Sequence, residues 1–477
     1  DPQNGPARGQ KAHCDPCNDD FLIAKAVRTT GTPPAHRLYA KLVLTPDGKK
    51  VYLPSDHSDH AIFDEAASAL SKRCDAYPVV RIEEGFNTNQ VLRYNYRHWH
   101  DMFNARQLYC LSILADRIRQ VPDPALRELM TCLLSGTLEF NNMFASYKGE
   151  GTGAVRHMFS HHILKPERTP LEANIWGTPK SSGSFSTLFD SRIRRALEYA
   201  DNPFELKLTV KQGRPAGDKI FGLSEPIGFE IASDFNELKN GRLLLSCGDS
   251  SSSGLPTGSV DAIITDPPFF DNVHYSQLAD FFHVWQRYIL GENGHQQACS
   301  TRSCEEVQNS DRAEFTKRLA AVLGEAHRVL KDEGVMALTY HHSRSDGWRS
   351  ILEAIMFSGF VISAVQPIKA EMAVAVPKLQ AKEPINLDII IVCRKRSKEI
   401  SKKCGGLGDA VESARIQVNR LKVAGRKMSR NDVRIVLMSH VLKAVSAGSI
   451  EAALEVIDRE EKEIENRIDE FFGEMQG

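Results

Sequence analysis

The stretch VDAIITDPPFFDNVHYSQ, from Val260 to Gln277, contains the strongest structural and chemical signal in the sequence. Its apolar run Ala262–Ile264 is typical of a buried β-strand. The strand has to end at Pro267 and Pro268, because a proline has no backbone N–H to donate to a neighbouring strand. An acid, two prolines and two aromatic rings therefore follow directly on a strand with a buried pattern.

Strand and helix patterns alternate on both sides of this stretch, between about residues 242 and 397. The segments GRLLLSCGDS, VMALTYHH, VISAVQPI and LDIIIVCRKR are typical of strands. The segments LADFFHVWQRYIL, FTKRLAAVLGEAHRVLKDEG and GWRSILEAIMFSGF are typical of helices, and the second is expected to end at Gly334. Strands separated by helices of this length predict an α/β fold with a doubly wound, mostly parallel sheet.

Two of the predicted strands end in an aspartate, one at Asp249 and the other at Asp266. In an open α/β sheet, ligands bind at the carboxyl ends of the strands. The two prolines after Asp266 force an extended backbone whose carbonyl groups lack partners in the sheet. A carboxylate and a carbonyl then converge as two acceptors beside the ring of Phe269, and this arrangement suits the exocyclic amino group of a planar base.

Asp266-Pro267-Pro268-Phe269 resembles the D-P-P-[YF] motif of amino-methyltransferases, which transfer a methyl group from S-adenosyl-L-methionine to adenine N6 or cytosine N4. The longer run DPPFFDNVHYSQLADFFHVWQR looks like the extended signature of adenine-specific DNA methylases that contain a zinc ribbon, including the related DUF1156 proteins. The stretches GFNTNQ, WHDMFNARQL, LSGTLEFNNMFASY and VRHMFSHHILKP carry the same resemblance, which covers most of residues 80–397. It implies a class I, Rossmann-like methyltransferase sheet with helical additions.

The resemblance implies direct methyl transfer to the amino nitrogen of a base flipped out of duplex DNA, and the aspartate favours adenine N6. Two other functions stay open. One is methylation of cytosine N4 or of an amino group in RNA, and the other is nucleic-acid binding by a non-catalytic protein that has lost its cofactor loop. The implied residues are Asp266, Pro267, Pro268 and Phe269 for the target base, Phe270, Asn272 and Tyr275 for the substrate beside it, and Gly248, Asp249 and Phe282 for the cofactor.

Such enzymes also need a glycine-rich turn, approximately F-x-G-x-G, after the first strand, because the missing side chains let the backbone approach the cofactor. The sequence has no good copy of this turn. Gly149–Gly153 has the glycine spacing but follows a helical pattern rather than a strand. We therefore expect an incomplete sheet, with the first strand and the cofactor loop upstream of Asp1. The chain would then be the larger, base-binding part of the enzyme.

Cys14 and Cys17 form a C-x2-C motif, which supplies one half of a zinc ribbon. No second pair follows within reach, so a free dithiol and a zinc site completed by an upstream pair both stay open. The patterns predict four regions: a partial zinc-ribbon-like β insert (1–80), a helical insert with loops (81–240), the methyltransferase catalytic region (241–397) and a helical C-terminal tail (398–477).

The chain has 477 residues, a formal net charge of −1 and ten cysteines at irregular spacings. This cysteine pattern argues against a disulfide framework. Neither a bilayer-spanning apolar run nor a secretory signal is seen, so we expect a cytoplasmic protein without a membrane partner. DNA is the expected partner, and a homodimer or other defence-system subunits are further candidates. The tail helices indicate packing or dimerisation, with an accessory DNA clamp as the alternative. The sequence does not decide among restriction–modification, phage defence and housekeeping methylation.

Overall fold

The computed structural model of the protein describes residues 5–147, 155–161, 164–178, 181–211, 214–225, 227–238, 242–270, 273–291, 298–370, 385–397 and 406–476. The chain divides into two compact units. Unit 1 comprises Asp1–Phe229 and Tyr275–Arg302, and unit 2 comprises Glu230–His274 and Ser303–Gly477. These boundaries differ from the four predicted regions, because residues 275–302 belong to unit 1 and the C-terminal helices share unit 2 with the strands.

The described residues form a mixed α/β protein with one larger sheet and several small ones. The strands are β1 (Ala7–Arg8), β2 (Lys11–Cys14), β3 (Asp19–Leu22), β4 (Ala40–Leu44), β5 (Lys50–Pro54), β6 (Ser146–Tyr147), β7 (Val155–Arg156), β8 (Phe204–Lys211), β9 (Arg214–Phe221), β10 (Glu230–Ala232), β11 (Arg242–Leu244), β12 (Val260–Thr265), β13 (Leu330–Tyr340), β14 (Phe360–Lys369) and β15 (Leu387–Lys395).

The α-helices of the described residues vary from single turns to a long C-terminal helix. They are α1 (Ile23–Thr30), α2 (His57–Ser71), α3 (Asn89–Leu92), α4 (Ala105–Arg119), α5 (Pro124–Phe140), α6 (Phe185–Leu188), α7 (Arg195–Asp201), α8 (Tyr275–Leu290), α9 (Arg312–Val329), α10 (Ser345–Phe357), α11 (Leu407–Val423), α12 (Arg430–Val445) and α13 (Ile450–Gln476). Short 3-10 helices cover Trp99–Met102, Met158–His161 and Phe235–Glu237, and a π-helical segment covers Phe189–Arg194.

The main sheet of unit 2 has four strands in the order β12-β13-β15-β14. Strand β12 pairs in parallel with β13, whereas β15 pairs antiparallel with both β13 and β14. Three strands therefore point in one direction, and β15 runs against them between two of the three. The prediction of a mostly parallel sheet agrees with the strand directions, but two of the three ladders are antiparallel, which the sequence pattern did not indicate.

Helices α9 and α10 pack against each other, and α10 also packs on β14. Helix α9 ends at Val329 and not at Gly334, so the predicted end of this helix is wrong. The reason is Leu330, which is fully buried and pairs with Val260, so that the strand begins directly after the helix. A register shift after Val260 then accommodates the polar residues 331–333.

The C-terminal helices belong to the same hydrophobic core as the sheet, and the predicted separate tail is therefore a part of unit 2. Helix α12 packs on β14 and β15 and is flanked by α11 and α13. It buries apolar side chains on all sides, as expected for a helix that is apolar all round. Its buried side chains include Val433, Ile435, Val436, Leu437, Val441 and Leu442.

Asp432 connects α12 to the start of β15. Its buried carboxylate accepts hydrogen bonds from the backbone N–H groups of Ser429 (2.8 Å), Asn386 (2.6 Å) and Leu387 (3.0 Å), and from the Asn386 side-chain amide (3.1 Å). A buried carboxylate is tolerated when hydrogen bonds replace its hydration. One side chain thus caps α12 and fixes the first residue of β15.

Unit 1 is built around α2, α4, α5 and α8, which pack against one another. Its centre is aromatic: the ring of Phe281 on α8 stacks on Phe103 with 5.6 Å between centroids and meets Trp99 and Phe159 edge-on. Phe281 and Trp285 are almost completely buried. The aromatic side of α8 is therefore mainly a core face. Within the described residues, no helix has the length and apolar character required to cross a membrane.

The Asp432 carboxylate gives a test of this packing. Asp432→Ala is expected to lower the free energy of unfolding by about 3 kcal/mol, because three backbone N–H groups lose their acceptor. Asp409 is a matched control, since it caps α11 at the surface by accepting from the Gly406 N–H at 3.0 Å. Its replacement by alanine should cost about 1 kcal/mol. Urea denaturation measures both, and equal losses would contradict the role given to Asp432.

Candidate functional site

The Asp266-Pro267-Pro268-Phe269 corner follows β12 at the carboxyl end of the parallel strands of unit 2. Asp266 is exposed, and one oxygen of its carboxylate accepts a hydrogen bond from the hydroxyl of Thr339 on β13. Pro267 is buried, and no donor to its carbonyl oxygen is found in the described part of the chain. The corner therefore presents a second carboxylate oxygen and a backbone carbonyl to a ligand.

The ring of Phe269 is partly buried at the same edge. It meets Tyr340 edge-on at 5.2 Å and His341 edge-on at 4.6 Å between ring centroids. Edge-to-face contacts of this kind hold the orientation of a ring. Phe269 is thus an oriented, partly exposed ring three residues after Asp266.

Buried polar groups hold the backbone that follows the corner. The imidazole of His342 donates from Nε2 to the Phe270 carbonyl at 2.9 Å and accepts at Nδ1 from the Arg344 N–H at 3.0 Å. Burial lowers the pKa of His342, which favours the neutral imidazole that these two bonds require. Gly347 is needed beside it, because a Cβ atom there would lie 2.2 Å from His342 Cγ.

Tyr340 and Trp348 complete this support. The Tyr340 hydroxyl donates to the Gly347 carbonyl at 2.9 Å, and the Trp348 indole donates to the His342 carbonyl at 2.9 Å. Burial raises the pKa of the Tyr340 hydroxyl, so it stays protonated and remains a donor. The backbone after Phe269 is therefore held by side chains from β13 and α10.

The His341 imidazole lies against the Asp388 carboxylate at the same edge. His341 follows β13, and Asp388 is near the start of the antiparallel strand β15, which begins where the parallel strands end. About 24% of the His341 side chain and 14% of the Asp388 side chain are exposed. The pair places a titratable imidazole in contact with the ring of Phe269.

Phe270 does not fit the predicted substrate role. Its ring is 5% exposed and packs against Phe315 at 5.4 Å between centroids, within the core of unit 2. The two prolines interrupt the strand pleat, so the two neighbouring phenylalanines separate, and Phe269 stays at the edge while Phe270 enters the core. The prediction that Phe270 contacts substrate is therefore corrected to a structural role.

Gly248 and Asp249 do not lie at the end of a strand of the main sheet. The preceding strand β11 ends at Leu244, and its ladder is with β10 and not with β12. Asp249 is exposed and accepts hydrogen bonds from the Ser251 N–H at 2.8 Å and hydroxyl at 2.7 Å, and the N–H bond lowers the pKa of the Asp249 carboxyl. No atom lies within 4 Å of a Cβ built on Gly248. The geometry of a cofactor cradle is not seen at these two residues.

The other predicted ligand residues lie elsewhere. Phe282 is on α8 in unit 1, where its ring contacts Phe159 at 5.3 Å and lines a cavity of about 430 Å³ together with Glu139, Arg192 and His283. Tyr275 begins α8 and is 58% exposed. Asn272 lies outside the described residues, as does the glycine pattern at 149–153. The described chain resumes at Val155, where β7 begins.

Cys14 and Cys17 lie at the hairpin between β2 and β3 in unit 1. Interaction with Cys14, first as acceptor of a hydrogen bond from the Cys17 thiol and then through its charge, raises the pKa of Cys17. In the described part of the chain, they do not belong to any group of three or more converging metal ligands. Half of a zinc site and a free dithiol therefore both stay predictions for this hairpin.

Thr339 and Asp388 belong to the edge but carry no local signal in the sequence. Thr339 is one residue of an alternating strand pattern, and Asp388 is an acid at the start of an apolar run. The position of Asp388 could be found only by knowing that β15 is antiparallel, because its first residues then meet the last residues of β13.

No model of a known protein family, no curated protein and no solved structure matches this chain. The structure defines a mixed α/β protein with polar and aromatic residues gathered at one edge of its main sheet. The case for an activity therefore depends on the chemistry of those residues and on the sequence motif that contains them.

The different positions of the two phenylalanine rings can be tested by truncation. Phe270→Ala should lower the free energy of unfolding by about 3 kcal/mol or more, because it leaves a cavity in the core. Phe269→Ala, the matched control, should cost only about 1 kcal/mol, because this ring is partly exposed. Chemical denaturation of both variants gives the two values, and a larger loss for Phe269→Ala would show that the two rings are wrongly assigned.

Proposed function

We propose that the chain is an S-adenosyl-L-methionine-dependent DNA methyltransferase that acts on adenine N6 and binds the target base at the Asp266-Pro267-Pro268-Phe269 corner. The observation that carries this proposal is the corner after β12, where an exposed carboxylate, a free backbone carbonyl and an oriented aromatic ring follow one another in four residues. A flipped adenine has complementary groups, namely an amino group with two hydrogens and a planar ring to stack.

The arrangement of the main sheet supports a class I methyltransferase fold. β12 and β13 are parallel, as the resemblance implies for the strands on either side of the corner, and β15 lies antiparallel between β13 and β14. The open side of β12 supports the expectation of an incomplete sheet. Parallel sheets normally have both faces covered, yet Ile264 on this apolar strand is 87% exposed.

Each residue of the edge has a role toward the base. The free oxygen of Asp266 and the carbonyl of Pro267 accept the two hydrogens of the amino group, which directs the nitrogen lone pair away from them. Phe269 stacks on the base, and Thr339 fixes the Asp266 carboxylate by donating to its other oxygen. His341, held by Asp388, accepts the proton that the amino nitrogen loses when it gains a methyl group.

The cofactor side is different. Of the residues that the resemblance assigns to S-adenosyl-L-methionine, Gly248 and Asp249 do not end a strand of the main sheet, and Phe282 belongs to unit 1. No reaction step is therefore assigned to them. This is also the observation that favours the second candidate, a nucleic-acid-binding protein with the base corner but without catalysis.

A methyl-transfer assay separates these functions. The full chain is incubated with unmethylated DNA and S-adenosyl-L-methionine carrying a tritiated methyl group, and the nucleosides are then analysed. We expect N6-methyladenine, and we expect Asp266→Ala to lower its rate by about a hundredfold or more, because the amino group loses a charged acceptor. Asp261→Ala is the matched control, since Asp261 is on the same strand with 83% of its side chain exposed.

Equal activity of Asp266→Ala and the unchanged chain would refute the proposed role of the corner. N4-methylcytosine as the product would refute only the choice of base. DNA binding without any methylated product, measured at several salt concentrations, would support the non-catalytic candidate instead.

The role of Asp388 gives a separate prediction. Asp388→Asn keeps the shape of the side chain but removes the charge that holds His341, so kcat for methyl transfer should fall about a hundredfold, the usual size of a proton-transfer contribution. KM for DNA should not change. The control is Asp332→Asn, an acid with 93% of its side chain exposed that pairs with Lys395. An unchanged kcat for Asp388→Asn would remove His341 from the mechanism.

A further inference from the structure

Three side chains of metal-ligand type converge in unit 1, in the short sequence His98-Trp99-His100-Asp101. One ring nitrogen of each histidine and one carboxylate oxygen of Asp101 lie within 4.8 Å of one another. Among the described residues, no other group of three such ligands meets this spacing. The proposed methyl transfer gives these residues no role.

The backbone that carries the cluster is fixed on both sides. The 3-10 turn Trp99–Met102 is anchored by Trp99, which is 1% exposed, and by Met102, which is fully buried. The segment before it is joined to residues 80–82, because Trp99 N–H donates to the Val80 carbonyl at 3.1 Å and Ile82 N–H donates to the Arg97 carbonyl at 2.8 Å. The three ligands are thus presented by rigid backbone, which a binding site requires.

Asp101 has one oxygen committed to the fold and one available. Its Oδ2 atom accepts the backbone N–H groups of Arg97 at 2.7 Å and His98 at 2.8 Å. Its Oδ1 atom faces His100 Nε2 at 3.5 Å. Hydrogen bonds to one carboxylate oxygen orient the other, as the outer shell of a metal site commonly does. Capping of the 3-10 turn accounts for the hydrogen bonds to Oδ2. It does not require two imidazoles beside the same carboxylate.

The two histidines have the spacing that a shared ion needs. Their rings are nearly parallel, at 19° and 5.1 Å between centroids, and His98 Nδ1 lies 3.8 Å from Asp101 Oδ2. In a tetrahedral zinc site with bonds of about 2.0–2.2 Å, neighbouring ligand atoms lie about 3.4 Å apart. The 3.5 Å contact between His100 Nε2 and Asp101 Oδ1 is near this value, whereas the 3.8 Å contact of His98 is to Oδ2. His98 is 39% exposed and His100 is 19% exposed.

We propose that His98, His100 and Asp101 bind a zinc ion, with water in the fourth position. Two imidazoles and one carboxylate select a first-row transition ion such as Zn²⁺ over Mg²⁺ or Ca²⁺, which prefer oxygen ligands only. Three protein ligands leave the fourth coordination position open, whereas protein ligands fill all four positions in a structural zinc site. This site does not include Cys14 or Cys17, and it does not depend on the proposed methyl transfer.

Cobalt binding to the full chain tests the site. Co²⁺ takes tetrahedral N and O ligands like Zn²⁺, and its visible spectrum reports the ligand type. The chain is stripped of metal with a chelator and titrated with Co²⁺ in two backgrounds, unchanged and Cys14→Ser with Cys17→Ser. We expect the Cys14→Ser, Cys17→Ser chain to bind one Co²⁺ with visible bands but without the near-ultraviolet band of a sulfur ligand.

In that background, His98→Ala, His100→Ala and Asp101→Asn should each weaken Co²⁺ binding by at least about tenfold, the smallest effect expected for a metal ligand. His60→Ala, which removes an exposed histidine of α2, should leave it unchanged. Asp101→Asn keeps an acceptor for the two backbone N–H groups, and urea unfolding of each variant shows that the turn stays folded. Loss of all binding in the Cys14→Ser, Cys17→Ser chain, or binding left unchanged by His98→Ala and by Asp101→Asn, would overturn the proposal.

Discussion

The carboxylate of Asp432 is the interaction on which the arrangement of unit 2 depends. It accepts four N–H bonds, and three of them come from Asn386 and Leu387 at the start of β15. A buried charge requires all its partners, so the position of α12 and the first residue of β15 cannot vary independently. The antiparallel register that pairs Tyr340 with Ile389 follows from this fixed start.

That register determines on which face of the sheet each edge residue lies. Tyr340 and Ile389 point into the core, and the period of two along a strand then places Thr339 and His341 on the opposite face. Thr339 holds Asp266, and His341 meets both Phe269 and Asp388. A slip of β15 by one residue would exchange the faces and break the His341–Asp388 pair. The tail helices therefore contribute to the geometry of the edge although they are far from it in sequence.

The sequence predicted those features that depend on local pattern. The strand that ends at Asp266, the helices that follow and the exposed carboxylate all come from residue types at adjacent positions. The sequence did not indicate that β11 pairs with β10 or that the last helices enter the main core, because strand partners are set by contacts between distant segments. The sequence also did not indicate that Phe269 stays at the edge while Phe270 enters the core, because alternation along a strand no longer applies after two prolines.

The number of acceptors at the corner has a consequence for base selectivity. Thr339 donates to one oxygen of Asp266, so the other oxygen and the Pro267 carbonyl are two acceptors without a donor of their own in the described residues. An amino group on adenine or cytosine has two hydrogens and satisfies both. The keto oxygen of thymine or of the guanine six-position has none, and it would place three acceptors together at the cost of unpaired, desolvated oxygens. Under the proposed function, the corner therefore favours an amino group over a keto oxygen by hydrogen count, before any contact with the rest of the base.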